Sequence, residues 1–127
     1  MPVMAACYVA LLIAVSLLPS GPGAFQGWDA AIGPTWQNAM HMPAYALLAV
    51  LGVAALVRPT AGRIASAALV CCALGGVLEC AQAVIPGRTA SVSDILANVA
   101  GVAVGVAAVA LWKAVTRRRK AVREANG

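Results

Sequence analysis

The chain has 127 residues, the length of a single domain, with a formal net charge of +5 and a mean hydropathy of +0.88. Apolar residues make up 62% and charged residues only 10%, against about 25% charged in a soluble domain, which excludes a surface that mostly faces water. Lipid is the expected main solvent.

The first apolar stretch covers residues 4–18 and stops at Pro19-Ser20-Gly21-Pro22-Gly23, a strong breaker. It is read as a retained span and not as a cleaved signal peptide, because Met1-Pro2-Val3 carries no Lys or Arg and no small-residue cleavage motif follows Pro19. The loop 19–40 has Asp29 as its sole charge, with a candidate interfacial turn at 25–31. The second span covers 40–57, with Pro43 suited to its first turn, and ends at Arg58-Pro59. The third covers 64–85 and ends at Pro86-Gly87. The fourth covers 93–116 and runs into a basic tail, 117–127. The expected fold is an all-α membrane protein, one domain built as a four-transmembrane-helix bundle. The last two spans reach across a hydrocarbon core of about 30 Å at about 1.5 Å per residue. The first two do so only if flanking residues join them.

Basic residues set the orientation. Loop 19–40 has none, the second loop has Arg58 and Arg63, the loop 86–92 has Arg88 alone, and the last fifteen residues hold six. Placing the second loop and the tail inside gives eight cytoplasmic basic residues against one outside. Both termini are then cytoplasmic and loops 19–40 and 86–92 extracytoplasmic, in the cytoplasmic (inner) membrane. Trp28 and Trp36 on one side and Trp112 on the other suit interfacial belts, and Lys113 is placed to snorkel to the inner headgroups. The basic tail reads as a topology anchor near anionic lipid and not as a nucleic-acid site, since no recognition module accompanies it.

The four cysteines show no CxxC and no His-paired zinc spacing, so they read as small apolar packing residues. No cofactor is named by any motif.

An ionisable residue within a span needs a reason. Span three carries the stripe Cys72, Gly75, Glu79, Gln82 and Pro86; span four carries Asp94, Asn98, Gly101 and Gly105; span two carries His41, Tyr45, Leu48 and Gly52. All follow helical steps of three and four, so each stripe shares one face. The stripes are expected to face one another, with Gly101-x-x-x-Gly105 admitting a neighbouring backbone. The orientation then puts His41, Tyr45, Glu79, Gln82, Arg88, Asp94 and Asn98 in one layer near the extracytoplasmic headgroups. Each also has a structural reading: Ser91-x-x-Asp94 as a capping box, Arg88 as an ion-pair partner of Asp94 or Glu79, and Gln82 and Asn98 as interhelical glue. Seven such residues in one layer of a chain with four acids favour a functional site.

The motif E-x-x-Q, P-x-R, S-x-x-D-x-x-x-N-x-x-G-x-x-x-G from Glu79 to Gly105, with His41-x-x-x-Tyr45 before it, resembles the VanZ-like family over roughly residues 38–105. The resemblance implies a small bacterial membrane protein with His41, Glu79, Gln82, Arg88, Asp94 and Asn98 as marked positions. The founding member is associated with resistance to the glycopeptide teicoplanin, so a resistance role here is an inference from that one member. One departure stands out. The family often has an Asp-Lys pair shortly before the histidine, where this chain has Gln37-Asn38-Ala39-Met40.

Three functions compete. The first is a site for an anionic lipid headgroup, of a phospholipid or an undecaprenyl-linked envelope intermediate. Arg88 would hold the phosphate, Tyr45, Gln82, Ser91 and Asn98 would line the ligand, and His41, Glu79 and Asp94 are the candidate catalytic groups. The second is a non-catalytic membrane subunit whose polar layer fastens helices. The third is a lipid or proton-coupled transporter, which on so small a scaffold calls for a homodimer. No metal ligand is assigned: His41, Glu79 and Asp94 have the chemistry to hold a divalent metal, but they sit on separate helices and spacing along the chain does not test whether they meet.

Overall fold

The computed structural model describes residues 1–18, 34–85 and 91–126, with side chains in the second segment from residue 39. Among them all regular structure is helical: α1 (Pro2–Ser16), α2 (Pro34–Ala55), α3 (Ala61–Gln82) and α4 (Val92–Ala125). The candidate interfacial turn at 25–31 and Arg88 lie outside the described residues.

Boundaries of α2, α3 and α4 differ from the sequence reading, each for a local reason. α2 begins at Pro34, so Pro34 and not Pro43 takes the first turn. Residues 34–40 include Thr35, Gln37 and Asn38, too polar to extend an apolar run yet compatible with helix. Pro43 is therefore interior, and its missing N–H leaves the Ala39 carbonyl without the usual donor four residues on. α3 starts at an N-cap, Thr60, whose side chain accepts from the Arg63 N–H at 3.4 Å. It ends at Gln82, where N–H groups of Val84 and Ile85 bond back to Ala81 and Gln82 carbonyls in a closing turn. α4 does not stop at 116 but continues through the basic segment to Ala125. Arg, Lys, Ala and Glu are all good helix formers. An exposed Lys120–Glu124 pair at 3.8 Å adds little.

Contacts between helices fix the topology. α2 and α4 make the most extensive pairing and run parallel: Gly101 lies against the Met42 carbonyl and Gly105 against the Ala46 carbonyl. A Cβ at either glycine would collide with backbone, so only glycine permits this approach. α1 and α3 run the other way. The Gln82 side-chain amide donates to the Ser16 carbonyl at 3.1 Å, satisfying one of the orphan carbonyls that every helix C-terminus leaves. Midway along, the Tyr8 hydroxyl donates to the Ala44 carbonyl at 3.0 Å. The ends of α1 and α3 thus share one end of the bundle with the first turns of α4.

Burial is inverted relative to a water-soluble protein. The two largest fully buried side chains are Glu79 and Asn98. A small apolar cluster of Tyr45, Leu48, Ala49, Cys71 and Val102 continues inward from them. Large apolar residues such as Val57, Leu69, Val84, Leu111 and Trp112 face outward. α3 and α4 are each long and apolar enough to cross a membrane, and only 22% of the most apolar stretch of each is buried. The core helix of a soluble protein would be mostly covered; these are not. α1 and the apolar part of α2 are shorter.

Candidate functional site

The polar residues converge about two turns into α2, at the end of α3 and the start of α4. Glu79, in the last turn of α3, is 2% exposed. Its Oε1 is 3.3 Å from Nε2 of His41 on α2, and its Oε2 accepts from the backbone N–H of Ser91 at 3.5 Å. One buried carboxylate therefore ties three helices together.

The Ser91 contact changes the expected capping arrangement. Ser91 is the N-cap of α4, in extended conformation, and its hydroxyl oxygen accepts from the Ser93 N–H at 3.2 Å. In a reciprocal capping box the acid three residues on would take the N-cap N–H. Here Glu79 takes it from another helix, and Asp94 is released from that duty. Asp94 is 6% exposed, and its Oδ1 is buried with no hydrogen-bond partner among the described residues. One turn further, Asn98 is 2% exposed, and neither its Oδ1 nor its Nδ2 has a partner among them. Unmet buried polar atoms are rare in native proteins, because each costs about 1–3 kcal/mol.

Gly75 on α3 makes room for this second layer. A Cβ there would stand 3.0 Å from Tyr45 Cε1 and 3.1 Å from Asn98 Nδ2. The Tyr45 ring and the Asn98 amide thus pass over a bare backbone, one turn below the carboxylates.

The structure brings His41, Glu79 and Asp94 together: one donor atom from each lies within 4.8 Å of the others. Tyr45 and Asn98 lie beneath them, and Ser91 contributes its backbone N–H to the rim. The Ser91 hydroxyl is 2.6 Å from that of Ser93, a pairing within the helix cap. Gln82 is buried, but its side-chain nitrogen points to α1 and not to the cluster. Two positions escaped the sequence reading: the Ser16 carbonyl that Gln82 covers, and Tyr8. Tyr8 had a usable signal, since a lone phenol in an apolar span must find an acceptor for its hydroxyl.

A family model described as VanZ/LLP1 matches residues 5–113, which is most of the chain. The chain belongs to the VanZ/LLP1 family. Nothing among the curated proteins or the solved structures matches it. The VanZ/LLP1 match takes in every residue of the polar cluster and ends at Lys113, so the basic end of α4 lies beyond it. VanZ/LLP1 membership and two apolar helices of membrane length together point to a membrane protein.

Proposed function

We propose that this VanZ/LLP1 protein is a four-span protein of the bacterial cytoplasmic (inner) membrane with both termini cytoplasmic. Its outward-facing polar cluster binds the anionic headgroup of a membrane lipid, a phospholipid or an undecaprenyl-linked envelope intermediate. The observation that carries this reading is the set of unmet polar atoms, Asp94 Oδ1 and both amide atoms of Asn98, buried beside the His41–Glu79 pair. A cluster built only to fasten helices satisfies its own polar atoms. Among the described residues, this one leaves two acceptors and a donor unmet.

Depth supports the same reading. Asp94 lies in the first turn of α4 and Trp112 is exposed far along it. The two are separated by about 27 Å along the axis at about 1.5 Å per residue, close to the hydrocarbon thickness of about 30 Å. Trp112 and the basic end of α4 then mark the cytoplasmic interface, and the cluster sits near the opposite one. Arg88, on sequence grounds, supplies a bidentate partner for the phosphate.

Binding is the core of the proposal. For chemistry, the His41–Glu79 pair offers a group able to hold or move a proton, while the Ser91 hydroxyl is engaged with Ser93. Any tie to glycopeptide resistance would run through the lipid bound. The helper-subunit reading draws on the bonds from Glu79 and Gln82 that join all four helices. Transport ranks third. Below the cluster the described buried residues are Leu48, Ala49, Val53, Cys71, Val102 and Gly105, which offer no carboxylate relay toward the other side.

The test is native mass spectrometry of protein released from membranes, wild type beside Arg88→Ala, against phospholipids and undecaprenyl-linked lipids. Selective retention of one anionic lipid, lost in the variant, supports the site. Equal and unselective binding by both moves the helper-subunit reading to the front.

A further inference from the structure

Two carboxylates and an imidazole from three helices meet at the polar end of the bundle, and among the described residues no lysine or arginine pairs with them. Glu79 and Asp94 are both buried, and a buried carboxylate needs a partner to offset its lost hydration. The Glu79–His41 distance of 3.3 Å fits a hydrogen bond. It equally fits two ligands about 2.1 Å from one ion at a near-tetrahedral angle. The pairing with His41 gives Glu79 a partner but does nothing for Asp94, whose Oδ1 is buried without one among the described residues. Asn98, on the next turn of the same face, is in the same condition.

We infer that His41, Glu79 and Asp94 form the binding site of one divalent first-row metal cation, zinc or manganese. One imidazole nitrogen with two carboxylate oxygens suits such ions, whereas calcium takes six to eight oxygens. Ligands of a shared ion stand about 3–4 Å apart when each is about 2.0–2.2 Å from it. The three donor atoms already lie within 4.8 Å of one another, so the set is within about 1 Å of that spacing. Three protein ligands leave a coordination position open. On the headgroup reading, a phosphate oxygen takes that position; the cation site itself does not depend on that reading. The competing cation is the guanidinium of Arg88, six residues ahead of Asp94 in the chain and outside the described residues.

The experiment uses the full chain in detergent, stripped with chelator and titrated with Mn²⁺ or Zn²⁺. Native mass spectrometry counts bound ions, and electron paramagnetic resonance follows free Mn²⁺. The expected result is one ion per chain, bound at least tenfold more weakly by Glu79→Gln and Asp94→Asn and retained by Arg88→Ala. A wild type that takes no ion, or variants that bind as tightly, overturns the inference. So does an ion taken only by Arg88→Ala, which makes the arginine the native counter-ion. Should Glu79→Gln not fold, Asp94→Asn decides alone, since Asp94 Oδ1 has no described partner to lose. The same spectra separate the two proposals. A bound ion without selective lipid supports the metal site and counts against the headgroup reading; selective lipid without an ion does the reverse.

Discussion

Glu79 Oε1 stands 3.3 Å from His41 Nε2, joining the end of α3 to the early turns of α2 through a carboxylate that is 2% exposed. The other oxygen of the same carboxylate caps α4 through the Ser91 N–H. Truncation by Glu79→Ala leaves both contacts unmade, and an unmet buried partner costs about 1–3 kcal/mol. A lower Tm in detergent is expected, with Glu79→Gln falling between the variant and wild type. An unchanged Tm in Glu79→Ala would show that the tie does not support the fold.

Gly101 and Gly105 face the carbonyls of Met42 and Ala46, and backbone cannot rotate aside as a side chain can. Gly101→Ala or Gly105→Ala should destabilise the α2–α4 pairing by about 1–3 kcal/mol, as overpacking does. Gly76 is the control, because a Cβ there meets nothing within 4 Å. Gly76→Ala is expected to be neutral or slightly stabilising, since alanine is the better helix former. Thermal unfolding of the three variants side by side checks this, and equal Tm values across them would contradict the close approach.

Asn98→Leu replaces an amide with a side chain of similar shape. Neither amide atom has a partner among the described residues, so losing both removes unmet polar atoms and is expected to leave Tm unchanged or raise it. Selective lipid retention should nevertheless fall. A large drop in stability would mean that the amide is structural glue.

Topology is open to a labelling test. In a background with Cys7, Cys71, Cys72 and Cys80 replaced, Gly27→Cys should react with a membrane-impermeant maleimide in whole cells. Glu124→Cys should react only after permeabilisation. The reverse pattern would invert the orientation drawn from the basic residues.

Much of the fold was legible in the sequence because the helical steps of three and four were clean. Tyr45, Leu48, Gly75, Glu79, Gln82, Asp94, Asn98, Gly101 and Gly105 all turn inward. What escaped were properties that a single-helix pattern does not carry. The polarity of residues 34–40 hid the first turns of α2, and Pro43 imitated a start signal. The charges of 117–123 imitated an end to α4, although they suit helix well. Ser91-x-x-Asp94 was a sound local reading of a capping box, and a carboxylate from α3 displaced it. Gln82 shares a face with Glu79, yet its amide serves α1. The meeting of His41, Glu79 and Asp94 is a tertiary event between helices, which spacing along the chain does not encode.

The most direct measurement of the central claim, that the cluster holds a ligand rather than only itself together, is lipid retention by Asp94→Asn beside wild type, scored by native mass spectrometry at matched stability. The account predicts a folded variant, with Tm close to wild type, that has lost one selectively retained anionic lipid. A folded variant that keeps the same lipid to the same extent would contradict it.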